Sequence, residues 1–276
     1  MIQFTKMHGL GNDFVVIDGI RQQIQLNAEQ IRLIADRHLG VGCDQLLLVE
    51  KPAPDSSADF KYRIFNADGS EVGQCGNGAR CFAKFVRDKH LTDKSDILVD
   101  TRTRQLRLTC QDNNLITVNM GVPQHAPAEI PMRAELEQKQ YALHLDGHDW
   151  QFGAVSLGNP HAVLRVDDVA SAPVAGIGER LESHSLFPER VNVGFMQVVD
   201  RQNIKLRVFE RGSGETSACV SGACAAVVIG IEQQWLDATV NVELRGGKLT
   251  IAWQGRNQPV YMTGPATTVY EGQFAL

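Results

Sequence analysis

Apolar and polar positions alternate along much of this chain, and where alternation stops a helical spacing takes over. Gln45–Glu50, Tyr62–Phe65, Leu106–Thr109 and Ile116–Met120 read as strands, as do Asn192–Val199, Ile204–Phe209, Val240–Leu244, Leu249–Trp253 and Val260–Met262. Asp146-Gly147, between Tyr141–Leu145 and Trp150–Val155, predicts a hairpin turn. Asn27 reads as an N-cap with Gln30 three residues on; Ile31, Ile34, Ala35 and His38 then share one face before Gly40, which predicts a helix over 28–38. Three more helices are predicted over 78–88, 174–184 and 221–234. Many strands, few helices and frequent hairpin signals imply an α+β fold with mixed or antiparallel sheets, and argue against a doubly wound parallel sheet.

The pattern also repeats. Residues 63–79 align without a gap on residues 207–223, and Arg63/Arg207, Phe65/Phe209, Glu71/Glu215, Cys75/Cys219, Gly78/Gly222 and Ala79/Ala223 coincide at an offset of 144. Three weaker echoes keep the same order. Leu10-Gly11-Asn12 matches Leu157-Gly158-Asn159. Val41-Gly42 with Gln45 matches Val193-Gly194 with Gln197. Val118, Met120 and Pro123 match Val260, Met262 and Pro265. Two homologous halves follow, 1–122 and 123–264, with the tail 265–276 expected to return to the first half as a last strand.

Each half carries a strand, a polar Gly-containing turn, Cys-x-x-Gly-Ala, then an apolar run at helical spacing. Cys75 and Cys219 therefore stand at helix N-termini. There the helix dipole and the N–H groups outside the helical ladder favour a thiolate or a ligand carboxylate. The other four cysteines, Cys43, Cys81, Cys110 and Cys224, read as small buried apolar residues. Two halves facing each other would put the two thiols on opposite sides of one bound carbon, and inversion of a stereocentre by proton transfer needs a base on each face.

Composition narrows the field further. Over 276 residues the charge is −5, from 27 Lys+Arg against 32 Asp+Glu, with no basic patch, so nucleic acid is not an expected partner. The N-terminus lacks a signal-peptide pattern, and the longest apolar run, Ala223 to Ile229, is far too short for a bilayer. The expectation is a cytoplasmic protein with reduced thiols and no membrane partner. No C-x-x-C, dinucleotide fingerprint or phosphate loop is present. His144 and His148 straddle the predicted turn, so they are not expected to bind metal.

Specific segments carry a resemblance. They are Met7-His8-Gly9-Leu10-Gly11-Asn12-Asp13-Phe14, Arg63-Ile64-Phe65-Asn66-Ala67-Asp68-Gly69-Ser70, Gln74-Cys75-Gly76-Asn77-Gly78-Ala79-Arg80, Gly158-Asn159-Pro160-His161, Asn192-Val193-Gly194-Phe195, and Glu210-Arg211-Gly212-Ser213-Gly214-Glu215-Thr216 through Ala218-Cys219. Over essentially its full length the chain resembles the diaminopimelate epimerases. The resemblance implies two pseudo-symmetric domains, each a sheet around a central helix, with the active site in the cleft between them. It implies interconversion of L,L- and meso-2,6-diaminopimelate, on the route to lysine and peptidoglycan precursors, with no cofactor and no metal. Cys75 and Cys219 are then the acid/base pair, with Cys219 the acceptor and Cys75 the donor in the L,L direction. His161 and Glu210 tune the thiols. Asn12, Gln45, Asn66, Gly76, Asn77, Asn159, Asn192, Glu210, Arg211, Val220 and Ser221 contact the substrate, and Tyr270 is a dimer contact in an expected homodimer. Val220 stands where the family usually has Gly; its backbone N–H is retained.

Three other readings compete. A cofactor-independent proline or hydroxyproline epimerase is disfavoured by Asn12, Asn66, Asn159, Asn192 and Arg211, because proline has no second zwitterionic end to recognise. A redox protein using a Cys75–Cys219 disulfide is disfavoured by the absence of C-x-x-C. A binding protein without activity would require Val220 to block the site.

Overall fold

The computed structural model describes residues 1–73 and 75–276; Gln74, part of one matching segment, lies outside the described residues. The chain forms two compact units, Met1–Asn119 with Thr263–Leu276, and Met120–Met262.

The first unit runs β1 (Ile2–Gly9), β2 (Asn12–Asp18), α1 (Ala28–Ala35), β3 (Gln45–Glu50), β4 (Phe60–Asn66), β5 (Glu71–Val72), α2 (Gly76–Asp88), β6 (Asp96–Asp100), β7 (Gln105–Cys110) and β8 (Ile116–Gly121). The second runs β9 (Tyr141–Leu145), β10 (His148–Ser156), β11 (Pro160–Arg165), α3 (Val174–Glu182), β12 (Asn192–Asp200), β13 (Asn203–Glu210), β14 (Gly214–Glu215), α4 (Val220–Glu232), β15 (Thr239–Leu244), β16 (Gly247–Ala252) and β17 (Val260–Gly264). The last strand, β18 (Thr267–Phe274), lies antiparallel to β1.

Within each unit the pairing follows one scheme. β1–β2, β3–β4 and β6–β7 are antiparallel, while β2–β3 and β4–β6 are parallel. In the second unit β10–β11, β12–β13 and β15–β16 are antiparallel, while β11–β12 and β13–β15 are parallel. β9 flanks β10 as β18 flanks β1. The fold is thus α+β, with two homologous mixed sheets.

One long helix packs on each sheet. α2 lies against β1, β2, β3 and β7, and α4 against β10 to β13 and β16. α1 covers the other face of its sheet, where Ile31 and Ile34 join Val15, Ile17, Leu46 and Leu48. β2 and β3 are therefore buried on both faces and read as unbroken apolar runs. That is why β2 and the equally buried β11 escape an alternation search. α4 has the same cause: ten of its 13 residues are buried, so its apolar residues circle the helix.

Local chemistry sets the ends. Asn27 and Gln30 close a reciprocal capping box on α1. The helix stops at Ala35 instead of running to 38, because Asp36 turns extended and its carboxylate accepts from the N–H groups of His38 and Leu39 at 2.7 and 2.8 Å. Asp146 and Gly147, at φ 55° and 76°, make the expected hairpin turn between β9 and β10.

Strand register corrects one echo. Phe14 pairs with Gln45 across β2 and β3, and His161 with Asn192 across β11 and β12. Phe14 and His161 lie 147 residues apart, so the counterpart of Gln45 is Asn192, not Gln197. Val-Gly-x-x-Gln coincided by chance with a strand five residues out of register.

Candidate active site

In the first unit, Cys75 is the N-cap of α2, in extended conformation at φ −146°. It is half-buried. Its thiol lies 3.7 Å from Asn12 Oδ1. Asn12 arrives there because Leu10 and Gly11, both with positive φ (58° and 88°), form the two-residue loop between β1 and β2. Asn77, the second residue of α2, donates from Nδ2 to the same Oδ1 at 3.3 Å. Gln45 donates to Asn66 Oδ1 at 2.9 Å across β3 and β4, and Asn66 donates to Ser70 Oγ at 3.2 Å. Beneath them the wholly buried Tyr62 hydroxyl lies near the Cys75 backbone N–H without meeting hydrogen-bond geometry; burial, then the Cys75 thiol beside it, push the phenol up.

In the second unit, Cys219 is the N-cap of α4 and is buried. Its sulfur lies 3.7 Å from Ser221 Oγ, which accepts from Asn159 Nδ2 at 3.2 Å. Asn159 Oδ1 in turn meets His161 Nε2 at 3.1 Å. Burial holds His161 down at about 3, with Arg211 adding to the effect, so the imidazole is neutral. Cys219 is raised well above its ordinary value, first by burial, then by the charge of the nearby Glu210 carboxylate. The N–H of Gly222 pulls the other way, as a helix N-terminus should, but burial and Glu210 outweigh it. Glu210 is itself fixed by the Thr216 hydroxyl. Asn192 ties the segment down, donating to the Pro160 carbonyl at 3.0 Å and accepting from the Arg211 N–H at 3.0 Å. The exposed Arg211 guanidinium donates to the Glu189 carbonyl at 2.9 Å and makes no ion pair among the described residues.

The repeated identities now have physical reasons. Arg63 grips Glu71 with two hydrogen bonds of 3.0 and 2.8 Å, and Arg207 grips Glu215 with two of 2.6 and 2.8 Å. Each pair clamps the short strand that leads to the cysteine. Gly78 and Gly222 let each helix settle on its sheet: a methyl at Gly78 would meet Ile64 and Phe14 at 3.3 Å, and one at Gly222 would meet Val208 at 3.1 Å and the Cys219 sulfur at 3.2 Å. The first helical bonds run from Ala79 to Cys75 and from Ala223 to Cys219, so the N–H groups of Gly76, Asn77, Val220 and Ser221 precede each ladder. Val220 is the first residue of α4 and is not among the residues with positive φ, so this position does not require glycine.

Burial pushes the Cys43 thiol up to about 11 and Cys81 up to about 12, which suits packing residues. Cys110 differs from that expectation: it is half-buried, at the end of β7. Tyr270 stands exposed on β18, its ring edge-on to Phe4 with centroids 6.0 Å apart. Three residues missed by sequence reasoning belong to the first unit's site: Tyr62, Asp44 and Arg80. Arg80 sits three residues after Asn77, on the buried face of α2 among Ala79, Cys81, Phe82 and Ala83, and is itself wholly buried.

The family described as diaminopimelate epimerase matches residues 4–126 and 153–269. A protein of Teredinibacter turnerae named diaminopimelate epimerase is 58% identical over 275 residues, covering 100% of this chain and 99% of the relative. Among solved structures, a hydroxyproline epimerase from Agrobacterium vitis superposes with a TM-score of 0.69 at 15% identity, covering 98% of this chain and 91% of the other. A phenazine biosynthesis protein from Bacillus anthracis gives 0.69 at 16% identity, covering 100% and 99%. At such identities the structures speak for the fold alone. Among the described residues no helix is long and apolar enough to cross a membrane.

Proposed function

The chain belongs to the diaminopimelate epimerase family, and from that membership we propose that it interconverts L,L- and meso-2,6-diaminopimelate using Cys75 and Cys219 as its two bases. The carrying observation is that the two cysteines at matching positions of the repeat each stand at the start of a helix, with Cys75 Sγ 3.7 Å from Asn12 Oδ1 and Cys219 Sγ 3.7 Å from Ser221 Oγ. In the L,L direction Cys219 removes the α-proton and Cys75 returns one to the opposite face; microscopic reversibility exchanges the roles. Cys219 must first lose its own proton, and the carboxylate whose charge acts on it, Glu210, is the group that would take it.

The α-proton of an amino acid is very weakly acidic, so the developing carbanion needs support. The N–H groups of Gly76, Asn77, Val220 and Ser221 suit the reacting carboxylate at two helix N-termini. Arg211, exposed and without an ion pair among the described residues, suits the distal carboxylate, and the amides of Asn12, Gln45, Asn66 and Asn159 offer donors and acceptors for the zwitterionic ends. His161 and Glu210 tune Cys219, and Asn192 holds Arg211 in place. No cofactor enters this scheme. We propose in addition that the chain works in the cytoplasm as a homodimer with Tyr270 of β18 at the contact. Incubation with L,L-diaminopimelate in D2O tests the central reading: meso isomer carrying deuterium at one α-carbon is expected, and absence of both isomer and exchange would overturn it.

A further inference from the structure

Building on that epimerase reading, we infer that Asp44 and Arg80 are positioning residues: together they fix the direction of the Asn12 amide, keep its Oδ1 turned to the Cys75 thiol, and so leave Cys75 at rest as the proton donor. A guanidinium can only donate. Arg80 Nη2 lies 2.7 Å from Asn77 Oδ1, so Asn77 must turn its Nδ2 outward, and that nitrogen lies 3.3 Å from Asn12 Oδ1. Asn12 must then turn its Nδ2 the other way, and it meets Asp44 Oδ2 at 2.9 Å. A carboxylate can only accept. The two ends demand the same direction, Arg80 to Asn77 to Asn12 to Asp44, so the amide orientations follow from the end groups without any need to tell nitrogen from oxygen.

Both ends are anchored. Arg80 is wholly buried and also donates to the Pro265 carbonyl at 2.9 Å. Asp44 accepts from Arg37 at 2.8 Å and from the Asp13 N–H at 3.1 Å. Burial works against the charge on Asp13, but hydrogen bonds from Arg37 and Lys6 outweigh it and hold its carboxyl well below the usual range. Titratable groups that feel Cys75 include Tyr62 from β4, which has Arg104 beside it, and Cys81 within α2. The second unit has no equivalent chain: at the repeat offsets of 147 and 144, Val191 stands for Asp44 and Cys224 for Arg80.

The test is alkylation of the full-length protein by iodoacetamide across pH, read at Cys75 and Cys219 separately by peptide mass spectrometry, with thermal melting as a check on folding. Asp44 is exposed, and Asp44→Asn removes the charge that claims Asn12 Nδ2, leaving Arg80, acting through Asn77, as the one fixed end and loosening the hold of Asn12 Oδ1 on the thiol. Alkylation of Cys75 at neutral pH should rise roughly three- to tenfold, about half to one pH unit in its profile, while Cys219 stays unchanged and Asp44→Glu behaves as the parent. In an Asn12→Ala background Asp44→Asn should add nothing. An unchanged Cys75 profile, a shift shared by both thiols, or a full effect of Asp44→Asn without Asn12 would overturn the inference. The assay needs no turnover, so its failure is distinct from failure of the epimerase reading, which shows as absent exchange in D2O.

Discussion

Asn12 and Asn159 occupy the same place in two copies of one unit, yet their amides point in opposite senses. Asn12 turns its oxygen toward Cys75 because its nitrogen is claimed by Asp44; Asn159 turns its nitrogen toward Ser221, beside Cys219, because its oxygen meets His161. The cysteines diverge with them. Cys75 is half-buried beside a neutral acceptor, while Cys219 is buried against a carboxylate. Duplication preserved the scaffold that places a sulfur at a helix start. Asn66 stands where the second unit has Glu210, and Phe14 where it has His161, so the two sulfurs sit in different surroundings. An epimerase at work on a prochiral carbanion needs that difference at any instant, since one thiol gives a proton while the other has taken one.

The largest expected effect is the loss of either thiol. Cys75→Ala and Cys219→Ala should each lower epimerisation by at least about a thousandfold, measured as isomer formation in D2O. Retention of activity by either would break the pairing.

Next come the two glycines, which should part company. Gly222→Ala presses a methyl on the Cys219 sulfur at 3.2 Å and should lower kcat by roughly tenfold or more, as small misplacements of a reacting group do. Gly78→Ala presses instead on Ile64, Phe14 and Leu47 at 3.3 to 3.4 Å, an overpacking cost of about 1–3 kcal/mol in stability with a smaller effect on rate. Denaturant unfolding beside steady-state kinetics separates them; equal kinetic losses would remove the distinction.

The buried histidine gives the second unit an acid sensitivity of its own. His161 titrates near 6.5 when unfolded and at about 3 when folded, so the folded state binds its proton later. Its contribution to stability is present above 6.5 and is lost as pH falls from 6.5 toward 3, amounting to about 2 kcal/mol between pH 7 and pH 5. His161→Gln should flatten that part of the profile in denaturant titrations at the two pH values, and an unaltered slope would count against a buried neutral imidazole.

The smallest effect is expected at Val220. Val220→Gly removes a buried side chain from the first turn of α4 and should cost about 1–2 kcal/mol, while kcat/KM stays within a few-fold. A several-fold gain in kcat/KM would show that the valine hinders the substrate.

Much of this arrangement was legible in the chain. Capping at Asn27, the turn at Asp146-Gly147 and the strands Gln45–Glu50 and Ile204–Phe209 depend on neighbours in sequence, and local periodicity revealed them. The repeat singled out Cys75 and Cys219 because the Arg63–Glu71 and Arg207–Glu215 clamps and the settling glycines recur at one offset. β2 and β11 were not legible by alternation, which two-sided burial erases; β3, buried on both faces as well, was legible only as an unbroken apolar run between Gln45 and Glu50. Nor was the true counterpart of Gln45 legible, which strand register alone defines.

By itself, then, the sequence determined the fold class, the duplication and the two sulfurs at helix starts, because those follow from periodicity, turn chemistry and capping over short stretches. Tertiary structure decided what each sulfur became. Asp44 and Arg80 reach Cys75 only through Asn12 and Asn77, and Glu210 reaches Cys219 from a neighbouring strand. Hydrogen-bond direction and desolvation depend on which groups meet in space, and no spacing along the chain encodes either one.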